Sequence, residues 1–340
     1  MKTRVISYKL KVKSYCSKGF TLVEILVAIV ITALVMAGVY TTFIAQQRSF
    51  TVQDQVAETQ ESSKIAFNIL TNDLRNAGFG YPSSDNPDIN GFTDIITFSD
   101  NLNSQGPDAI TLVGGFRQVA ILANPTVIGV DTIMITYTGS TKFNLLDRKN
   151  ISIDGVGFST ITNCAPDCDN ALTLQLDRGM NKPFPAGRPV YLVEDITYCV
   201  ITDTGSDDYL NLRWIRRGAT VATCSGEDFS DTQPVVENIE DLQFAFAVDT
   251  NDDGQVDDQN GNFFLDPGDY IYSPGTANIL AVRANILATT RPDYQDPNLE
   301  PSSKPYYSSG IILENNTNLV DTDRLRRRIW SMDIALRNPR

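Results

Sequence analysis

The chain has 340 residues, 42% of them hydrophobic, with no histidine and a net charge of −13 at neutral pH. Its length fits a membrane segment plus one large domain or two modest ones, and its apolar content can build a core, which excludes a disordered chain. The missing histidine excludes serine–histidine triads, histidine general bases and histidine-containing zinc sites. The acidity argues against nucleic acid as a partner, since that needs a basic footprint.

The charge is uneven. Lys2, Arg4, Lys9, Lys11, Lys13 and Lys18 precede residue 20 with no acid among them, which leaves 22 basic against 41 acidic residues, a net −19, for the remainder. Such an excess suits divalent cations and a soluble surface. From Phe20 to Gln47 the only charge is Glu24. This stretch exceeds the roughly 20 residues that cross a bilayer as a helix. A secretory signal peptide would end its apolar core at a small-residue cleavage site. Here no proline occurs before Pro82, and a helical pattern continues. Residues 20–45 are expected to form the membrane half of one helix and 46–78 its amphipathic half. Val56, Gln60, Ser63, Phe67, Leu70, Leu74 and Ala77 recur at spacings of three and four, with Phe67, Leu70 and Leu74 as the buried end. Gly78, Gly80 and Pro82 stop the helix. An acid inside such a segment costs about 2.5–3.5 kcal/mol at the bilayer centre and less near the interface, so Glu24 is expected to have a partner.

Beyond residue 80 the period becomes two. "AITLV", "TIMITYTG", "LTLQL", "VYLVEDITYCVIT" and "YLNLRWIRR" read as strands, with "DTGSDD" as the hairpin turn between the last two. In "LQFAFAV", Leu242, Phe244, Phe246 and Val248 share a face. In "LAVRANILA", Leu280, Val282, Ala284 and Ile286 do so, with Arg283 and Asn285 opposite. In "IWSMDIALR", Trp330, Met332, Ile334 and Leu336 are expected inward, with Asp333 and Arg337 outward. No strand–helix alternation follows, so a parallel doubly wound sheet is not expected. "RLRRR", ending at Arg328, reads as a solvated strand end. Cys164, Cys168, Cys199 and Cys224 form an even set. "CAPDC" suits a small loop, and Cys199 and Cys224 flank the hairpin, but four cysteines allow three pairings and the sequence does not choose. The C-x₂-C spacing of a zinc site is missing.

"DTNDDGQVDDQNGNFFLDPGD" carries site chemistry. Asp249, Asn251, Asp253 and Gly254 match D-x-N-x-D-G, the first half of a calcium loop in which alternate oxygen-bearing side chains converge on a hard cation. Gln255 would add a backbone carbonyl, Val256 would pin the loop to the core, and Asp257 stands at the ninth position. The twelfth is Asn260 rather than glutamate, which leaves Asp258, Asp266 or Asp269 to close the shell. A structural Ca²⁺ is expected, the alternative being a solvated turn. No nucleophile elbow and no phosphate-binding glycine loop occurs, so no enzyme is expected.

"KGFTLVEILVAIVITALV" resembles the type III signal of type IV prepilins and pseudopilins. The resemblance implies that a prepilin peptidase/methyltransferase cuts between Gly19 and Phe20, removes the basic leader 1–19 and methylates Phe20. Glu24 then becomes the fifth mature residue. In that family the glutamate of an incoming subunit pairs with the N-terminal amine of a neighbour, here that of Phe20, whose reference pKa is about 7.7–8. Pairing the two in a low dielectric relieves both desolvation costs. "SSKIAFNILTNDLRNAGFG", "VENIEDLQFAFAVDTNDDGQVD", "TANILAVRANILATTRP" and "RLRRRIWSMDIALRN" resemble segments of PilW-type minor pilins. The J-type pseudopilins of type II secretion are the alternative. The implied fold is α+β and pilin-like: a long N-terminal helix packed on a large antiparallel β-rich domain, residues 79–340. The implied role is a minor pilin at or near a fibre tip that helps initiate assembly with other minor and major pilins and contributes to cell adhesion. It would start in the inner membrane with its C-terminal domain in the periplasm, where disulfides persist.

Overall fold

A computed structural model describes residues 19–82, 87–99, 107–139, 143, 149–166, 168, 172–201, 212–216, 232–259, 261, 267–275, 277–290 and 327–338. Contacts divide the chain into two units, 1–54 and 55–340.

One helix, α1 (Leu22–Asn76), runs through the boundary between these units. In the first unit its apolar side chains, from Leu22 to Phe43, are exposed. The helix is long and apolar enough there to cross a membrane. In the second unit the buried residues are Thr59, Ser63, Ala66, Phe67, Leu70 and Leu74. The expected stripe is therefore present, with Thr59 in place of the exposed Gln60. The buried hydroxyls do not stay unsatisfied: Thr59 and Ser63 donate to the carbonyls of Gln55 and Thr59, each at 2.8 Å.

The helix ends as the glycines predict. Gly78 and Gly80 both adopt φ +76°, the left-handed region that glycine enters without a Cβ penalty. The Gly78 amide donates to the Val113 carbonyl at 2.8 Å. A Cβ on Gly78 would meet the Asn338 carbonyl oxygen at 2.8 Å and Ile95 Cδ1 at 2.9 Å. Gly78→Ala is therefore expected to lower stability by about 1–3 kcal/mol, from strained backbone and steric crowding together. A thermal melt of the full chain in detergent checks this, and an unchanged midpoint would show that the turn can adapt.

Beyond α1, the described residues of the second unit form one short 3₁₀ turn, Pro267–Asp269, and twelve strands: β1 (Ile96–Ser99), β2 (Ala109–Leu122), β3 (Thr132–Tyr137), β4 (Asn150–Ile153), β5 (Gly157–Ala165), β6 (Thr173–Leu176), β7 (Pro189–Val200), β8 (Leu212–Arg216), β9 (Thr232–Val236), β10 (Ile239–Asp249), β11 (Asn278–Thr289) and β12 (Arg327–Ala335). Every pairing is antiparallel. The first nine form one sheet in the order β1-β2-β3-β6-β5-β4-β7-β8-β9, with β2 also paired to β7. That extra pairing closes β2, β3, β6, β5, β4 and β7 into a ring of six strands. The ring encloses its own core, which includes Leu122, Ile135, Ile151, Ile161, Leu174 and Val190.

The long strands β2 and β7 leave this ring at a bulge between Gly114 and Arg117 and continue with β1 and β8 on their outer edges. There they share a second core with α1 and with the three-stranded sheet β10-β11-β12. This core includes Phe67, Leu70, Leu74, Leu112, Ile196, Phe244, Val282 and Ile334. Phe98 packs on Phe246 with ring centroids 4.7 Å apart, and the buried Asp108 carboxylate accepts the Phe244 amide at 2.8 Å. Sheet is thus tied to sheet by both apolar and polar contacts.

Three expectations need correction. Arg283 and Asn285, read as facing away from the core, are buried. One face of β11 lies in the main core, and Tyr270 covers part of the other together with Ala245, Ala247 and Ala281. Arg283 satisfies its charge through Asp333, at 2.7 and 3.1 Å, and stacks over Tyr270 with 3.9 Å from guanidinium to ring centre. Met332, expected inward, is 40% exposed, because β12 is an edge strand. Arg327 is not a solvated strand end. It is buried and ion-paired with Glu240, with one contact at 3.0 Å.

Candidate functional site

The two stretches with candidate chemistry are the start of α1 and the loop after β10. At the helix start, Thr21 precedes the first helical residue, Leu22. Its hydroxyl accepts the Glu24 amide at 3.2 Å, and Glu24 Oε2 accepts both the Thr21 amide and the Thr21 hydroxyl at 2.9 Å. This is a capping box: two amides that the helix cannot satisfy internally are satisfied reciprocally. The negative carboxylate also sits in the first turn, where the helix dipole favours it. The sequence carried this signal as T-x-x-E before an apolar run, and the reading of Glu24 as an acid in need of an outside partner passed over it. Thr21 is therefore a residue that sequence reasoning missed.

Glu24 thus has a local role before any other subunit arrives. Phe20 is 81% exposed. Phe20, Glu24, Ile25, Ala28 and Thr32 line one shallow groove along the helix. The two residues expected to act in assembly lie on one face, next to the Gly19–Phe20 bond expected to be cut.

In the acidic loop Asp249 ends β10 and is buried. Its Oδ1 accepts the amides of Asn251 and Asp253 at 3.2 and 3.3 Å, and its Oδ2 accepts that of Gly254 at 2.8 Å. Asn251 Oδ1 accepts the Asp253 amide at 2.9 Å, and Asp253 Oδ1 accepts the Gln255 amide at 2.8 Å. Asp257 Oδ2 accepts the amide and the hydroxyl of Thr250 at 3.0 and 2.5 Å. Left-handed backbone at Asp252, φ 59°, and Gly254, φ 79°, makes the turn. Val256 packs against the small cluster of Ala245, Ala247, Tyr270 and Ala281, as expected of the residue that pins the loop. Burial, then the neighbouring Asp333 charge, pushes the Tyr270 phenol up to about 12, so it stays neutral at any physiological pH.

The donors Asp249, Asn251, Asp253, Gln255 and Asp257 therefore share one compact turn. Among the described residues, no three acidic or cysteine side chains meet in a group that holds a metal. Of the residues considered for closing the shell, Asp258 accepts the Gly261 amide at 2.5 Å and the buried Asp269 accepts the Gln259 amide at 3.0 Å. Asn260 and Asp266 lie outside the described residues.

Of the cysteines, Cys164 and Cys168 form a disulfide with Cα atoms 5.0 Å apart. Its loop is held by Tyr137, whose hydroxyl donates to the Cys168 carbonyl at 3.2 Å. Cys199, buried on β7, is also disulfide-bonded. Cys224 and the "DTGSDD" turn lie outside the described residues.

Residues 15–40 match the prokaryotic N-terminal methylation motif. Residues 197–338 match the family described as type IV pilus-assembly protein W. No curated protein and no solved structure matches the chain. The second match runs from the end of β7 through β12. It covers β8 to β12, and β1 to β6, including the β1 and β2 that also pack with α1, fall outside it. Both matched families are structural components of pili rather than enzymes.

Proposed function

We infer that this chain, a prepilin-like protein at its start and a pilus-assembly W-like protein in its last strands, is a minor pilin that takes part in initiating a type IV pilus at or near its tip. The coarser statement, a type IV pilin-like subunit, rests directly on the two matches. One observation carries the finer one: an exposed apolar stretch of helix whose only acid between Phe20 and Gln47, Glu24, stands in the first turn on the same face as Phe20.

In this reading the leader 1–19 keeps the basic end on the cytoplasmic side, and the helix anchors the subunit in the inner membrane. The domain folds on the other side, where its disulfides persist. Cleavage after Gly19 then exposes the amine of Phe20. Glu24 of one subunit and the amine of a neighbour, each costly to desolvate alone, come together as the helices bundle. Thr21 holds the carboxylate at the helix start through one oxygen. The partners are other minor and major pilins and the processing peptidase.

The test is genetic. Deleting the gene should sharply reduce surface pili, and expressing the chain in trans should restore them. Normal piliation with loss of protein secretion would overturn this reading in favour of a type II secretion pseudopilin.

The acidic loop is read as calcium-stabilised. Its donors are hard oxygens at alternate positions, in a turn already set by its own amide contacts. Asp249, Asn251, Asp253, the Gln255 carbonyl and Asp257 would hold the ion, which would neutralise crowded carboxylates and rigidify the loop. The expected affinity is that of extracellular calcium modules, on the order of 10⁻⁴–10⁻³ M. Calcium at ten times Kd then adds about 1.4 kcal/mol. For a domain of this size the melting temperature should rise by roughly 3–6 °C. EGTA should reverse the gain and Asp249→Asn should abolish it. A melt unchanged across millimolar calcium would leave a solvated turn.

A further inference from the structure

We propose that the groove between β1 and the start of β11 binds an extended, basic segment of a neighbouring subunit by strand addition. β1 is the terminal strand of the nine-stranded sheet, with no strand on its outer side among the described residues. β11 begins beyond the reach of β12: the last bond between that pair of chain segments is from the Leu336 amide to the Leu280 carbonyl. Asn278 and Ile279 therefore overhang on that side. The space between these two uncovered edges is a groove of about 600 Å³. An edge strand offers a row of backbone donors and acceptors that templates another strand.

The groove also has a chemical preference. Ile96, Ile279 and Leu336 supply an apolar wall, and Asp94 and Asp252 are its charged residues among the described lining. Two exposed carboxylates and an open strand edge call for a guest rich in donors. A strand turns alternate side chains to one face, so an apolar side chain can meet the wall while a lysine or arginine meets the acids.

A second copy of this chain is a poor guest, because its net charge of −13 opposes its own approach. A different subunit with a basic strand is complementary. That source rests on the pilin reading, but the binding chemistry does not.

The full chain in detergent is titrated with a labelled seven-residue probe, Thr-Val-Thr-Lys-Val-Thr-Val, with calcium held constant. Saturable binding is expected. It should fall at least tenfold when the probe lysine becomes glutamate. It should fall similarly when alternate probe amides are methylated, and in the Asp94→Lys chain. Asp94 is exposed, so the variant should melt like the parent, and Asp94→Asn, which only removes the charge, should weaken binding less than the reversal. Binding that ignores backbone methylation, binding that survives charge reversal, or no binding at millimolar probe would each overturn strand addition. Self-association abolished by the same substitutions, without probe binding, would assign the groove to a second copy and overturn it too. A pilus defect in the deletion strain alongside any of these results would leave the pilin reading standing.

Discussion

Glu24→Gln is expected to leave the chain folded and membrane-inserted yet cut its recovery in sheared pili at least tenfold. The capping box accepts glutamine as well as glutamate at its last position. Glutamine therefore keeps the bonds that Thr21 makes to Glu24 Oε2, each at 2.9 Å, and removes only the charge. Breaking a desolvated ion pair by neutralising one partner costs about 3–5 kcal/mol, and 1.4 kcal/mol is already tenfold in an equilibrium. Glu24→Ala should be worse, because it also loses the cap, worth about 0.5–2 kcal/mol. Immunoblots of sheared and membrane fractions read both variants. If Glu24→Gln assembled like the parent while Glu24→Ala failed, the carboxylate would matter only as a cap and the ion-pair account would be wrong.

The second large effect lies in the core. Leu70 is completely buried in the cluster that joins α1 to both sheets. Leu70→Ala should cost about 2–5 kcal/mol from lost burial and the residual cavity. That is a large share of the 5–15 kcal/mol that holds a typical domain together. The melting temperature should drop by roughly 5–20 °C. Ile65→Ala, on the same helix but at a position 40% exposed, should stay within about 0.5 kcal/mol. Equal effects would mean that α1 is not part of the folded core.

What was legible in the sequence follows from what is local. The helix through Leu74, its glycine stop, and the strands at 242–248 and 280–288 each announce themselves by period and by turn residues. The six-stranded ring does not, because it depends on pairings such as β2 with β7 and β3 with β6, which join segments far apart in the chain. Alternation also fails where other side chains cover the second face of a sheet, as Tyr270 does: β11 buries Arg283 and Asn285 on the face that simple patterning sends to solvent. Met332 fails the opposite way, at an edge. In the acidic loop the spacing of oxygens was readable. That Asp249 would already accept three backbone amides was not. The Thr21–Glu24 capping box was readable in four residues, and was hidden behind the more conspicuous question of an acid in an apolar run.

The most direct test is the N-terminal mass of this chain recovered from purified, sheared pili. The account predicts a chain that begins at Phe20 and carries an added methyl on its amine. A chain in those fibres that still begins at Met1, with the basic leader attached and no free amine beside Glu24, would contradict it.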